Sequence, residues 1–302
     1  MIARYKKIIP VILLAVLLKA EAQQLPQYSQ YMINDYVINP AVAGKMPYYE
    51  AKSSNRYQWA GITDAPRTYV LSLNGPLKAK NVGLGGYLFT DITGPTRRTG
   101  FYASYAYHIK LNETMRLSMG LSGGLLQFAV DGSKITLHDA TTDPAFSKAL
   151  QSTLVPDFGF GTYFYSTDHK YYAGISVPQL LQNKIKFFDY TTSTLNKLTT
   201  HVYITGGYKF DVNDDFTVEP ATVIKFSVAS PLQVDLGARA IYKKMAWLGA
   251  SFRTKDAVSA VIGYCYQDYL TFGYSYDFTI TNIRKYSTGT HEIVLGIKFN
   301  KK

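Results

Sequence analysis

Thr99-Gly100-Phe101-Tyr102-Ala103-Ser104-Tyr105-Ala106-Tyr107-His108-Ile109 is followed, after Lys110 and Leu111-Asn112-Glu113, by Met115-Arg116-Leu117-Ser118-Met119-Gly120-Leu121-Ser122-Gly123-Gly124-Leu125. Side chains alternate between faces along a strand, so the first segment sets Phe101, Ala103, Tyr105, Tyr107 and Ile109 against Tyr102, Ser104, Ala106 and His108. The second sets Leu117, Met119, Leu121 and Leu125 against Arg116, Ser118, Gly120, Ser122 and Gly124. One face is apolar and aromatic; the other is small, polar or charged. A soluble sandwich would pack the apolar face on a second sheet, whereas a membrane barrel would turn it to lipid and keep the polar face for a lumen.

Segment length and connections favour the barrel. The same period of two recurs in about fourteen segments: 48–55, 68–74, 82–91, 99–109, 115–131, 156–166, 171–177, 199–211, 216–226, 232–241, 245–253, 257–267, 270–276 and 290–300. Many approach the roughly 9–11 residues that a tilted strand needs to cross a bilayer. Short turns at 111–113, 167–169, 212–215, 243–244 and 267–268 alternate with longer links at 92–98, 132–155, 178–198 and 277–289, although 227–231 and 254–256 are short. With the N-terminus inside, the short turns fall on the periplasmic side and the long links outside, the asymmetry of outer-membrane barrels. Closure is required because a sheet edge in hydrocarbon leaves backbone groups unpaired. The expected fold is an all-β, transmembrane, antiparallel up-and-down β-barrel of about fourteen strands.

Composition agrees. Aromatics reach 15%, with 26 tyrosines against 2 tryptophans, which suits girdles of rings with one wet end. Arg4, Lys6 and Lys7 precede the apolar run Ile8–Leu18 and the small-x-small site Ala20-Glu21-Ala22, so residues 1–22 read as a cleaved signal peptide. Residues 23–47, with Pro26, Pro40 and Gly44, lack alternation and read as a periplasmic arm or a lumen plug; residues 48–302 form the barrel. Removing the signal lowers the net charge from +11 to +8. In an exported protein that balance points to membrane lipid and lipopolysaccharide phosphates or an acidic partner, not to nucleic acid. The single Cys265 forms no internal disulfide, and the five scattered histidines lack metal-ligand spacing. Neither a metal nor any other cofactor is expected.

Nucleophilic hydrolysis would need a Ser or Asp near a His with an orienting group. Ser104 and His108 share the inward face, His201 also points inward, and His138-Asp139 and His291-Glu292 are adjacent pairs. None forms a nucleophilic motif, and an inward histidine in a wet lumen is usually only hydrogen-bonded, so no enzyme is expected. The glycine pairs at 85–86, 123–124 and 206–207 read as places where backbone curves or approaches closely. On this register Arg116, Lys209, Asp235, Arg239, Glu292 and Lys298 line the lumen, as ion pairs or as a selectivity lining. Arg97-Arg98, in an outside loop, is placed to touch lipopolysaccharide.

Gln27-Tyr28-Ser29-Gln30-Tyr31-Met32, then Asn34 and Asn39-Pro40-Ala41-Val42-Ala43-Gly44, resembles the opening signature of the PorP/SprF family. Arg56-Tyr57-Gln58-Trp59-Ala60-Gly61 and Ala65-Pro66-Arg67-Thr68 resemble its next block. Trp247-Leu248-Gly249, Phe252-Arg253-Thr254, Gly273-Tyr274-Ser275-Tyr276-Asp277 and Gly289-Thr290-His291-Glu292-Ile293 continue the likeness in order. The resemblance implies a non-enzymatic outer-membrane barrel of the type IX secretion and gliding motility machinery of Bacteroidota. It implies that the protein docks and helps secrete or anchor a surface adhesin with a C-terminal sorting domain. It also implies coupling to the periplasmic type IX ring and its peptidoglycan-binding linker proteins. Gln30, Tyr31, Asn34, Asn39, Pro40, Arg56, Gln58, Trp59, Tyr274, Tyr276, Asp277, His291 and Glu292 are its candidate partner-binding residues. A porin-like or hydrophobic-solute transport barrel is the rival reading.

Overall fold

A computed structural model describes residues 25–77, 81–135, 150–185, 197–228 and 230–300. The signal-peptide assignment and the pair His138-Asp139 lie outside these residues. The strands are β1 Tyr49–Tyr57, β2 Arg67–Leu77, β3 Val82–Thr93, β4 Thr96–Lys110, β5 Met115–Asp131, β6 Leu150–Ser166, β7 Tyr171–Val177 and β8 His201–Tyr208. They continue as β9 Phe210–Asp211, β10 Phe216–Ser227, β11 Ser230–Tyr242, β12 Ala246–Arg253, β13 Ala257–Tyr266, β14 Leu270–Thr279 and β15 Thr290–Phe299. β8 and β9 are one stave interrupted at Lys209, since both pair with β10, which leaves fourteen staves. Each stave pairs antiparallel with its chain neighbours, β1 pairs with β15, and β10 pairs with β11, so no edge remains.

All fourteen expected segments are strands, with two corrections at the ends. The link at 92–98 is a two-residue turn, because cross-strand pairs run up to Thr93↔Thr96 and Gly94 takes φ +56° at the tip. β6 begins at Leu150, ahead of 156 and through Pro156. β7 does not reach that stretch, its pairing with β6 starting only at Phe160, so the missing N–H of Pro156 costs no ladder bond there. Asn183 instead donates to the Pro156 carbonyl on that side.

The alternation resolves as a membrane barrel. Phe101, Tyr105 and Tyr107 are 58, 49 and 47% exposed, while Tyr102, Ser104, Ala106 and His108 between them are buried. Leu71, Leu121, Leu236, Leu248 and Leu295 on other staves are likewise exposed. The apolar face is thus the uncovered one, the reverse of a sandwich. Rings gather at the end bearing the short turns, with Tyr49 stacked on Phe299 at 5.5 Å and Tyr171 on Tyr208 at 6.2 Å. At the opposite, loop end, Tyr57 meets Tyr69 edge-on at 5.9 Å.

The inward face is buried because the chain fills its own lumen. Residues 25–47 run inside the barrel, with single 3-10 turns at Asp35–Val37 and Pro40–Val42. Asn39 starts the second turn, its side chain accepting from Ala41 N, and Pro40 at the first position supplies a fixed φ. This inner segment packs as a plug against the inward face of the wall.

Candidate functional site

The plug is held in three zones of apolar contact. Tyr36, Ala41, Val42 and Ala43 pack on Ala106, Tyr163 and Tyr165; Tyr31 and Ile38 on Tyr203, Ala221 and Val223; Ile33 on Trp247, Cys265 and Val294. Backbone reaches backbone only because the wall carries inward glycines there. A Cβ at Gly83 would lie 1.9 Å from the Ala43 oxygen, and one at Gly120 would lie 2.4 Å from Ala41 N. Gly85, from the first of the sequence's glycine pairs, makes the same kind of room for the Tyr36 ring.

Hydrogen bonds then fix the register of the plug. Tyr36 Oη donates to Ser104 Oγ at 3.0 Å, and Asn39 Nδ2 donates to the Thr162 carbonyl at 3.0 Å. His108 Nε2 lies 2.9 Å from the Ala43 carbonyl, and its Nδ1 lies 2.9 Å from Tyr165 Oη. Both ring nitrogens of His108 are therefore occupied, and Ser104 turns to the plug rather than to His108. Ser104 and His108 together clasp the N-terminal segment. His201 Nδ1 bonds the Thr199 carbonyl at 2.7 Å, and His291 Nδ1 faces Tyr274 Oη at 2.7 Å.

The densest polar cluster surrounds Ser29. Arg56 on β1, Arg253 on β12, Asp277 on β14 and Glu292 on β15 are 2, 0, 1 and 1% exposed, so these charges meet with no water to screen them. Arg56 donates through Nη2 to Asp277 at 2.8 Å and through Nη1 to Glu292 at 3.2 Å. Arg253 donates to Asp235 and Asp256, each at 3.0 Å, and to Asp277 at 3.4 Å. Ser29 Oγ donates to Asp277 Oδ2 at 2.7 Å and accepts from Arg56 at 2.8 Å and Arg253 at 2.9 Å. That uses the whole capacity of a hydroxyl. The Ser29 and Gln30 amides donate to the two Glu292 oxygens at 2.8 and 3.3 Å, and Gln30 Nε2 donates to the Glu292 carbonyl at 2.9 Å. Four staves from both halves of the barrel thus hold one dipeptide.

Toward the turn end the plug leaves a cavity of about 460 Å³. Lys45–Asp35, Lys52–Glu50, Arg239–Glu219 and Lys298–Asp268 pair along its lining, and Lys209 also lines it. Burial works to raise the Asp35 carboxyl, but the Lys45 ammonium beside it holds it below the usual carboxylate range. Burial likewise works to lower Lys45, and Asp35 carries it well above its ordinary value. His169, in the turn after β6 and stacked on Tyr165 at 5.8 Å, is pushed down to about 4 by burial and by the Lys45 and Lys209 charges.

At the loop end, residues 58–66 join the loop after β14. Ala60 N donates to the Gly289 carbonyl at 2.7 Å, Thr288 N to the Ala60 carbonyl at 2.8 Å, and Trp59 N to Thr290 Oγ1 at 3.0 Å. Trp59 holds φ +53° in this cap, and Gln58 N donates to the Pro66 carbonyl at 2.9 Å.

The sequence candidates therefore separate into an inner and an outer set. Gln30, Tyr31, Asn34, Asn39, Arg56, Asp277 and Glu292 are buried where plug meets wall, with Pro40 half-buried beside them. Gln58, Trp59, Tyr274, Tyr276 and His291 are half-buried at the loop end, the last three on the outward face. Of the expected lumen charges, Asp235, Arg239, Glu292 and Lys298 stand in ion pairs, Lys209 lines the cavity and Arg116 is half-buried on β5. Arg98 turns inward to Asp91, whereas Arg97 stays exposed. Sequence reasoning misses Arg253 as a member of the cluster. Its signal is a cation two residues beyond the inward Ser251, at the last turn of a strand and three before Asp256.

One solved barrel shares the architecture, and two others are similar to a lesser degree. A TodX monoaromatic hydrocarbon channel carrying the deltaS2S3 mutation is 10% identical with a TM-score of 0.51, over 89% of this chain and 94% of that one. The CymD monoaromatic hydrocarbon channel is 12% identical with a TM-score of 0.49, over 91 and 92%. A Pseudomonas aeruginosa FadL homologue is 12% identical with a TM-score of 0.46, over 92 and 95%. At 10% identity the TodX likeness speaks for fold alone. No curated protein matches the chain. The family model described as type IX secretion system membrane protein PorP/SprF matches residues 20–297. The chain belongs to the PorP/SprF family of type IX secretion system membrane proteins.

Proposed function

We propose that this barrel sits in the outer membrane as a non-enzymatic docking component of the type IX machinery, engaging a secreted surface adhesin outside and the periplasmic ring and its peptidoglycan-binding linker inside. The observation that carries the reading is the occupied lumen. The chain's own N-terminal segment crosses it, bolted through Ser29 and Gln30 to Arg56, Arg253, Asp277 and Glu292. In this proposal a barrel so filled works through its two end surfaces. On this reading the cap around Gln58 and Trp59, with Tyr274, Tyr276 and His291 beside it, meets the adhesin and its C-terminal sorting domain. The buried candidates Gln30, Tyr31, Asn34, Asn39, Pro40, Arg56, Asp277 and Glu292 hold that surface in shape, and the turn end faces the ring.

Deleting the gene and quantifying surface proteins tests the reading. Loss or release into the medium of at least one sorting-domain adhesin is expected, and restoration by a plasmid copy. Unchanged display of every such protein overturns it. The porin-like alternative predicts that purified protein in liposomes conducts ions or releases trapped solute with the plug in place.

A further inference from the structure

The outward face of the barrel is not uniform. At the loop end one row of cross-strand partners runs over six staves: Tyr276, His291, Tyr57, Arg67, Ile92 and Arg97. The row beneath it, two residues further into the wall, includes Asn55, Tyr69, Thr90 and Thr99. Outward positions near the loop end of the adjoining staves, Leu232 and Leu236 on β11, Phe252 on β12 and Val258 on β13, are exposed and apolar. The sector over β15 and β1 to β4 therefore carries cations, phenols and hydroxyls near the loop end, where its neighbours carry hydrocarbon.

We propose that this sector is a binding site for a phosphorylated saccharolipid of the outer leaflet, with Arg67 and Arg97 as its phosphate clamps; the inference rests on the outer-membrane placement. Both arginines are exposed, and among the described residues neither has a carboxylate within ion-pair distance. The neighbouring Arg98 turns inward and spends its charge on Asp91, so Arg97 is left for an external anion. One stave, β3, lies between the pair, so two inter-strand spacings place their backbones about 10 Å apart, a span that two phosphates on one sugar headgroup can bridge with long flexible side chains. The guanidinium fork matches a phosphate in planar, two-point geometry. Tyr57, in the arginine row, meets Tyr69 below it edge-on with their hydroxyls 3.4 Å apart, and beside Tyr69 the Thr90 and Thr99 hydroxyls lie 3.2 Å apart. These groups suit the sugar and linkage region between phosphate and acyl chains. The arginine end of the row stands on β2 to β4, away from the Tyr276–His291 edge beside the cap, and there the outward wall favours a lipid as occupant.

The test uses purified full-length protein in detergent, its folding verified by heat-modifiable gel mobility. Thermal unfolding is followed with diphosphoryl lipid A, monophosphoryl lipid A, phosphatidylglycerol and inorganic phosphate. The expected result is a rise in Tm that is largest for diphosphoryl lipid A and absent for inorganic phosphate. The double variant R67Q/R97Q should weaken lipid A binding at least about tenfold, about 1.4 kcal/mol. The loop variant K255Q/K285Q should leave it unchanged, and R67K/R97K should restore part of it. An equal rise with phosphatidylglycerol, or an undiminished one in R67Q/R97Q, overturns the proposal. So does a membrane protein copurifying on this sector in place of lipid. Membrane fractionation of cells reports separately on location, so that failure is read apart from this one.

Discussion

Ser29 and Asp277 lie 248 positions apart and are joined by a 2.7 Å hydrogen bond, Ser29 Oγ donating to Asp277 Oδ2. The bond ties the beginning of the plug to the penultimate stave, and both arginines of the cluster converge on the same oxygen atoms. Folding of the plug and closure of the barrel are therefore one event at this point, because the carboxylates of β14 and β15 are compensated only when Ser29, Gln30 and the two arginines arrive together.

Arg253 is the most exposed to test for that reason, being fully buried and shared by Asp235, Asp256 and Asp277. Replacing it with methionine keeps volume and leaves those carboxylates without their common cation. Removing one partner of a buried pair costs about 3–5 kcal/mol. Arg253→Met should lower the heat-modification temperature markedly, and Arg253→Met/Asp235→Asn should recover part of the loss. A single variant as stable as the native protein would show that water reaches the cluster.

One end of the plug is separable from the wall through one glycine. Gly83→Leu places side-chain atoms where the Ala43 carbonyl now sits, and overpacking of this kind costs about 1–3 kcal/mol. The outward neighbours of Gly83 are untouched, so the barrel should still form while the Ala43–Gly44 end of the plug is displaced locally and the Ser29 end stays bolted. Proteolysis near Ala43 should be faster in Gly83→Leu than in the native protein, with cleavage at the Ser29 end unchanged.

Acid should loosen the turn end in two stages. His169 is held down to about 4, below its ordinary value, so its contribution is complete above about pH 6.5 and lost as pH falls through the folded value. Asp35, also held low, keeps its contribution above about pH 4 and loses it further down. Lys45 is held high, so its contribution persists up to about pH 10.4 and fades only above that. Proteolysis at the plug should therefore increase between about pH 6.5 and 4. In His169→Gln that first stage should vanish, while the stage below it should remain.

Alternation in 99–125 shows the wall in the sequence, because a residue on a stave has only two choices and lipid and lumen reward opposite chemistries. Residues 25–47 obey no such period: their conformation is set by Gly83, Gly120, Ser104 and His108, remote positions that look like ordinary inward residues until something is seen to touch them. The ion cluster was half visible. Asp235 and Glu292 stand at inward positions on the period of two, but Arg253 and Ser29 are linked to them only by closure of the ring, which no local pattern records. Arg97 and Arg98 illustrate the same limit, since adjacent residues on a strand must part to opposite faces and a loop reading hides that.

The identity of the outward face has its own decisive variant. Leu121 is 60% exposed near the middle of β5, with Ser122 beside it turned inward and buried. If the exposed face meets hydrocarbon, Leu121→Arg should cost about 2–4 kcal/mol when the barrel folds into a bilayer, and Leu121→Ala far less. Leu111, also exposed but in the turn after β4, serves as the comparison. Leu111→Arg should be nearly neutral, because a turn lies in water or headgroups. Equal tolerance of arginine at the two positions, measured by folding into lipid vesicles, would mean that the leucine-bearing face of β5 is covered by protein or solvent rather than by lipid.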